Sequence, residues 1–302
     1  MPARHNKPYI GRFAPSPTGP LHIGSLLAAA ASYLDARQAG GRWLLRIEDI
    51  DPPREQAGAD AMIVKALEQY GFEWDGDISY QSANRSRHES LVRELLDAGR
   101  AYPCGCSRRD LADAPRSALG AIYPGTCRSG CDSDDVAIRV RTHDQPVRFD
   151  DAFQGPQEQR LESESGDFVI LRRDGLIAYH LAVAVDDADQ GITDVVRGID
   201  LMPSTPRQIF LQRLLGLDTP RYGHVPVVQH PDGSKLSKAT GAEGVPGGDV
   251  RPTLIRTFTA LKLAPPPDLD GAAIADIWAW GAENWDPVAL QGCRDIALQH
   301  YC

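Results

Sequence analysis

The chain has 302 residues, 42% of them hydrophobic and 24% charged, which is typical of a folded globular protein and excludes a disordered one. No apolar run approaches the roughly 20 residues that span a bilayer, and residues 1–8 are polar. We therefore expect a cytoplasmic protein without a membrane partner. The net charge of −9 gives no support for nucleic-acid binding, although a local basic groove is compatible with it.

The first hundred residues alternate between strand-like and helix-like segments. Residues 9–13 and 42–47 are short apolar runs typical of buried strands. Helical periodicity follows at residues 25–39, 57–70 and 87–98, and the middle segment places Met62, Ala66, Leu67 and Tyr70 on one stripe. This order predicts an α/β fold with a parallel sheet.

Residues 101–178 differ in character, with clustered cysteines and an alternating pattern around Ile138. Asp174-Gly175 is a hairpin turn signal between residues 168–172 and 176–179. We interpret this region as an inserted lobe with antiparallel strands.

Further along, residues 182–185 have the composition of a strand that returns to the buried sheet. Thr205-Pro206 followed by Gln208 predicts a capping box, and the helix that it opens should stop at Gly216. Weak helical patterns continue past residue 246 into a tail rich in tryptophan.

A loop rich in proline and glycine joins the first strand to the first helix at residues 12–25. Ligands of an open parallel sheet bind at this edge. Gly19 and Gly24 remove side chains where a phosphate or an adenine must come close, and the helix N-terminus offers N–H groups to an anion. His22 can donate a hydrogen bond to phosphate oxygens. For any short piece of this loop, a structural turn before a helix is the better explanation.

Charged residues follow the second strand and recur near residue 200. Glu48 can pair with a substrate ammonium, and arginines can pair with carboxylates. Taken alone, residues 46–51 fit a solvated charged turn better than a substrate-binding site. Tyr179 could equally be a core aromatic, and Arg197 a surface charge.

Lys235 and Lys238 lie on a loop that begins with glycine. Two lysines there can neutralise phosphate charge during attack at the α-phosphate. An ordinary surface loop with lysines is the alternative.

Four of the six cysteines lie within residues 104–131. In a reducing compartment, such clustering favours a metal site over disulfides. Zinc needs four ligands, and Cys131 would be an ordinary thiolate beside Cys104, Cys106 and Cys127. Reduced, metal-free thiols are the alternative.

These runs together resemble the class I aminoacyl-tRNA synthetases of the glutamyl and glutaminyl branch. Residues 22–25 are similar to the HIGH motif, with Ser25 for its last histidine, and residues 46–51 to the RIEDTD run. Residues 179–200 are similar to the YxxAxVVDD…GITxVxRGxD stretch. Residues 234–239 are similar to KMSKS, with Leu236 for methionine and Ala239 for the last serine.

The resemblance implies a Rossmann-like class I catalytic domain in residues 1–100 and 179–225. It also implies an inserted zinc-bearing α+β lobe in residues 101–178, and a KMSKS-type loop with a helical stem-contact region in residues 226–302. By the same resemblance, glutamate is bound by Arg12, Phe13, Ala14, Pro15, Ser16, Glu48, Tyr179 and Arg197. ATP, which brings Mg²⁺, is bound by Gly19, His22, Gly24 and Lys238, with His22, Lys235 and Lys238 catalytic. The implied structural Zn²⁺ ligands are Cys104, Cys106, Tyr123 and Cys127. The resemblance therefore implies Tyr123 as the fourth ligand, and Cys131 is the alternative.

The sequence ends 64 residues after Lys238, at Cys302. We therefore expect no anticodon-binding domain. This is the pattern of the short glutamyl enzymes, which activate L-glutamate with ATP and transfer it to the queuosine base of tRNA(Asp). The alternatives are a truncated or discriminating enzyme that charges tRNA(Glu), another adenylate-forming enzyme of the same superfold, and an inactive paralogue that binds tRNA.

Overall fold

The computed structural model describes residues 7–117, 120–229 and 244–297. In chain order, the helices are α1 (Ile23–Gln38), α2 (Ala59–Gln69), α3 (Arg85–Asp97), α4 (Leu161–Glu164), α5 (Tyr179–Asp189), α6 (Thr205–Leu214), α7 (Arg251–Ala260) and α8 (Ile274–Asn284). The strands are β1 (Ile10–Phe13), β2 (Arg42–Ile47), β3 (Ser79–Tyr80), β4 (Ala101–Cys104), β5 (Arg116–Ser117), β6 (Gly120–Ala121), β7 (Ala137–Val140), β8 (Pro146–Asp151), β9 (Gly155–Arg160), β10 (Val169–Leu171), β11 (Asp194–Gly198), β12 (Arg221–Val225), β13 (Val227–Gln229) and β14 (Asp295–Ala297). None of the helices in these ranges has both the length and the apolar character of a membrane span.

Parallel strand pairs form the centre of the molecule. β1 pairs with β2 and β2 with β3, while β11 pairs with β12, all in parallel. The Thr193 amide donates to the Ile10 carbonyl at 2.9 Å and so joins β11 to the edge of β1. α1 connects β1 to β2, and residues from Leu26 to Ala36 along it are buried almost without interruption. The predicted α/β fold with parallel strands is confirmed.

The strands between α3 and α5 are antiparallel. β7 lies between β4 and β10, and β8 forms a hairpin with β9. The turn at Gly175 has φ of 76° and precedes an antiparallel bridge from Leu171 to Ile177, as the turn signal predicted. The antiparallel strands predicted for residues 101–178 are therefore present. The division of the chain into domains stays a prediction.

Three local predictions are wrong. Residues 182–185 form the middle of α5 and not a strand, because a short apolar run has the same composition in a buried helix. Thr205 is the first residue of α6 and does not cap it, since its hydroxyl bonds to Arg197 and not to the helix backbone. Met62 is 40% exposed, and the buried stripe of α2 contains Ile63 and Leu67.

The tail packs on the outer side of α1. The Trp278 ring lies 4.8 Å from the Tyr33 ring, and its indole N–H donates to the Tyr70 carbonyl at 2.8 Å. The Trp285 indole donates to Asp35 of α1 at 3.1 Å. After α8 the chain returns as β14, which pairs in parallel with β13. The helices predicted beyond residue 246 are confirmed, and they complete the core around α1.

Candidate active site

A cavity of about 540 Å³ opens where β1, β2 and β11 end. Carboxyl ends of parallel strands share one edge of a sheet, so loops that are distant in sequence converge there. Ten of the residues predicted from the sequence line this cavity: Arg12, Phe13, Ala14, Pro15, Ser16, His22, Gly24, Glu48, Tyr179 and Arg197. Gly19 is not among the lining residues. Lys235 and Lys238 lie outside the residues that the structure describes.

Arg197 is buried in the wall of the cavity and is held by neutral acceptors. Its Nε donates to Nε2 of His224 at 3.1 Å, and its Nη2 donates to Thr205 and Gln208 at 2.8 and 2.7 Å. Its Nη1 is buried and has no hydrogen-bond partner in the described part of the chain. A buried guanidinium nitrogen without a partner is costly, so this atom is suited to an anionic ligand.

His224 is fixed in one neutral form. Its Nδ1 bonds to the Asp151 carboxylate, and its Nε2 accepts from Arg197. Burial lowers the pKa of His224 below its ordinary value, although the Asp151 carboxylate opposes this effect. The proton of the neutral ring therefore sits on Nδ1, and the Nε2 lone pair faces Arg197.

The other cations of the site are already paired. Asp187 on α5 accepts from Arg12 at 3.1 Å and from Arg46 at 2.7 Å. Burial alone would raise the pKa of Asp187, but these two guanidinium groups outweigh it and lower the pKa below its usual value. Glu48 lies 3.3 Å from Arg46, and burial raises its pKa in spite of Arg46 and Arg12. A cationic ligand group beside Glu48 would favour its charged form.

His22 caps the helix that begins beside the cavity. Its Nδ1 accepts from the Ser25 amide at 3.2 Å, so a neutral ring carries its proton on Nε2. That nitrogen is 3.0 Å from the Ser25 hydroxyl. The ring is thus oriented to present a donor at the N-terminus of α1.

The described residues on either side of 230–243 both reach this region. Val227 and Val228 on β13 line the cavity. Gly244 forms an antiparallel bridge to His22, and the Val245 amide donates to the Leu21 carbonyl at 2.8 Å. The described residues after this segment therefore bond beside His22, and those before it line the same cavity.

A group of thiols lies away from the cavity, beside β4. The sulfur atoms of Cys104, Cys106 and Cys127 lie within 4.8 Å of one another and could hold a metal ion. The Tyr123 hydroxyl is 3.3 Å from the Cys104 sulfur and 3.7 Å from the Cys106 sulfur. Cys131 is not a member of the group, and its sulfur accepts from the Gly105 amide at 3.0 Å.

Comparison with known proteins agrees with this geometry. The family model described as tRNA synthetases class I (E and Q), catalytic domain, matches residues 10–253. The glutamyl-Q tRNA(Asp) synthetase of Pseudomonas fluorescens is 54% identical over 291 residues, which is 96% of both chains. Its counterpart in Ectopseudomonas mendocina is 52% identical over 97% of this chain and 98% of its own. The chain belongs to the glutamyl-Q tRNA(Asp) synthetase family of class I enzymes.

The fold agrees with solved structures of this class. A glutamate tRNA ligase from Elizabethkingia meningosepticum superposes with a TM-score of 0.77 at 23% identity, and the match covers 98% of this chain and 68% of that one. This likeness supports the fold alone.

The sequence alone did not identify the residues that orient Arg197 and Arg12. Arg197 bonds directly to His224 and Gln208, and His224 in turn bonds to Asp151. Asp151 and His224 are 73 residues apart in sequence. No local motif links them. Asp187 belongs to a run that resembles the glutamyl enzymes, but only the structure shows that it pairs with Arg12.

Proposed function

We propose that this chain activates L-glutamate with Mg·ATP as glutamyl-adenylate and transfers the glutamyl group to the queuosine base of tRNA(Asp). Relatives that carry this name match almost end to end at more than half identity. The observation that carries the proposal is Nη1 of Arg197, a buried donor without a partner among the described residues, in a cavity that His22 also lines.

Glutamate needs sites for two carboxylates and one ammonium. Arg197 offers Nη1 to one carboxylate, and Arg12, which also lines the cavity, provides positive charge near the other. Glu48 is the acceptor for the ammonium, because it is a buried carboxylate at the cavity wall. Tyr179 and residues 13–16 complete the walls. This arrangement favours an acidic amino acid over a neutral one.

ATP would occupy the part of the cavity next to α1. Gly24 leaves room beside the first turn of this helix, and Nε2 of His22 can donate to the α-phosphate. The Mg²⁺ that accompanies ATP would neutralise part of the phosphate charge. Lys235 and Lys238 are proposed to act on the same phosphates. The bridge from Gly244 to His22 and the position of Val228 in the cavity wall support this proposal.

The reaction would proceed in two steps. A carboxylate oxygen of glutamate attacks the α-phosphorus, the bond to pyrophosphate breaks, and glutamyl-adenylate forms. A hydroxyl oxygen of queuosine then attacks the glutamyl carbonyl carbon, the bond to AMP breaks, and an ester forms as the hydroxyl proton is lost. The side chains of the site act by orientation and by charge, and no covalent enzyme intermediate is required.

The thiol group beside β4 is proposed to hold one structural Zn²⁺. Three cysteines and one phenolic oxygen supply four donors at mutually close positions, which suits a tetrahedral ion. Tyr123 is the proposed fourth ligand, since its hydroxyl contacts the thiols directly, whereas the Cys131 sulfur lies outside the group of mutually close sulfurs and accepts from the Gly105 amide. The ion would stabilise the fold of this region and would not act in the two steps above.

ATP–pyrophosphate exchange with glutamate, without tRNA, tests the first step. Transfer of labelled glutamate to tRNA(Asp) with and without queuosine tests the second. We expect exchange without any tRNA, and labelling only of the queuosine-containing tRNA. Labelling of tRNA(Glu) at its 3′ end would instead favour a truncated glutamyl-tRNA synthetase, and absence of exchange would favour a tRNA-binding paralogue.

A further inference from the structure

A second cavity, of about 390 Å³, adjoins the first. Ser16, Glu48 and Tyr179 belong to the walls of both, so a ligand in the second cavity would lie directly beside bound glutamate. His22 and β13 line only the first cavity. The second cavity therefore lies away from the proposed ATP site.

Three residues of the second cavity each carry a buried polar atom without a hydrogen-bond partner in the described ranges. They are Oε1 of Glu55, Oε1 of Gln81 and Nδ1 of His180. Buried polar atoms are rarely left unpaired unless a ligand or water completes them. Their concentration around one cavity points to a polar ligand.

The hydrogen-bonding character of these atoms can be assigned from their neighbours. Gln81 is 1% exposed, and its Nε2 donates to Asp186 at 2.6 Å, so its free atom is the carbonyl oxygen, an acceptor. Glu55 likewise offers a carboxylate acceptor. Arg207 lies 3.4 Å from Nε2 of His180 and has only donors, so the neutral ring carries its proton on Nδ1.

His180 stays neutral in this environment. Burial lowers its pKa to about 3, and the positive charges of Arg207 and Arg197 add to the effect. The cavity thus offers two acceptors and one donor. A hydroxyl both donates and accepts, so a diol satisfies this set, and an amine would be attracted by Glu55.

A phosphate fits the second cavity poorly. The arginines in its wall, Arg54 and Arg172, are both paired with the Asp51 carboxylate. Glu55 and Glu48 add negative charge. A triphosphate or a nucleic-acid backbone would therefore meet more acceptors than free cations here.

We propose that this second cavity binds the cyclopentene diol arm of queuosine, with Glu55 and Gln81 accepting from its hydroxyl or amine groups and Nδ1 of His180 donating to a hydroxyl oxygen. The inference rests on the proposed function and names the place where the acceptor enters. The shared wall at Ser16, Glu48 and Tyr179 then brings a hydroxyl oxygen of the diol next to the glutamyl carbonyl. The contacts of Glu55, Gln81 and His180 serve the second step only.

The test measures the two steps separately in Glu55→Ala and Gln81→Leu, with Glu68→Ala on the exposed face of α2 as the matched control. We expect pyrophosphate exchange within about twofold of the unmodified enzyme in all three. Single-turnover transfer from preformed glutamyl-adenylate to queuosine-containing tRNA(Asp) should fall at least tenfold in the first two only, since each loses a hydrogen bond worth about 1.4 kcal/mol or more. Free queuosine nucleoside should inhibit transfer by the unmodified enzyme and inhibit Glu55→Ala more weakly.

Normal transfer in both cavity variants, while the unmodified enzyme is active, would overturn this inference and leave the proposed function intact. Equal loss of exchange and transfer would also overturn it, because the residues would then serve the fold or the first step. If the unmodified enzyme itself exchanges pyrophosphate but does not label queuosine-containing tRNA(Asp), the proposed acceptor and this inference both fail.

Discussion

The Arg197 guanidinium and the His224 imidazole meet at 3.1 Å, with Nε donating to Nε2. No carboxylate pairs with Arg197 among the described residues, whereas Arg12 and Arg46 both bond to Asp187. The carboxylate that bonds to this imidazole belongs to Asp151, and it contacts Nδ1, the nitrogen that does not face Arg197. Arg197 is thus oriented by neutral groups, and its charge remains available to a substrate carboxylate.

Replacement of His224 should weaken glutamate binding selectively. In His224→Met, Nε of Arg197 loses its acceptor, and we expect the KM for glutamate in pyrophosphate exchange to rise about tenfold or more. The KM for ATP should change less than twofold, since ATP does not depend on this contact. His224→Gln keeps an acceptor oxygen and should recover much of the loss. A parallel rise in both KM values would contradict the role assigned to His224.

Removal of single ligands should distinguish Tyr123 from Cys131 at the proposed zinc site. We expect purified enzyme to contain about one equivalent of zinc, as a closed structural site does. Cys127→Ser should lose most of it, and Tyr123→Phe should release zinc to a chelator faster than the unmodified enzyme. Cys131→Ser serves as the matched control and should retain the ion. Loss of zinc from Cys131→Ser with full retention in Tyr123→Phe would reverse the assignment.

Acid should weaken the fold through Asp187. Its folded pKa lies below the ordinary value of 3.8, so its contribution to stability is complete above about pH 5 and is lost as the pH falls through the folded pKa. Asp187→Asn removes the carboxylate that two buried guanidinium groups share, and we expect a loss of about 3 kcal/mol in the free energy of unfolding at pH 7. In urea titrations, the difference in the free energy of unfolding between the variant and the parent should become smaller as the pH falls from 5 to 3. Asp189→Asn, on the exposed end of α5, is the control and should show the same pH dependence of the free energy of unfolding as the parent.

The two tryptophans of α8 should differ in their effect on stability. Trp278 is 5% exposed and packs against Tyr33 and Phe72, so Trp278→Ala should cost about 3–5 kcal/mol in the free energy of unfolding. Trp280 is only half-buried and stacks beside Phe258 at 6.3 Å, so Trp280→Ala should cost about 1 kcal/mol. Chemical denaturation of both variants measures the difference. Equal costs would show that α8 does not contribute to the core as its packing indicates.

The predictable part of the site lies in short runs next to strand ends. Glu48 follows β2 directly and Arg12 lies within β1, so a parallel sheet was enough to expect them at one edge. The partners of Arg197 could not be found in this way, because His224 lies on another strand and Asp151 enters from the antiparallel region. Residues 182–185 have the composition of a strand but form part of α5, because four apolar residues do not define a period. Tertiary packing decides each of these cases.

The pairing of β14 with β13 connects the last described strand to the wall of the cavity. Val228 lines the cavity, and its strand neighbour is Ile296. We therefore expect an engineered fusion that displaces β14 to alter turnover through the wall of the cavity. Enzymatic rate would then report on a strand whose own side chains do not line the cavity.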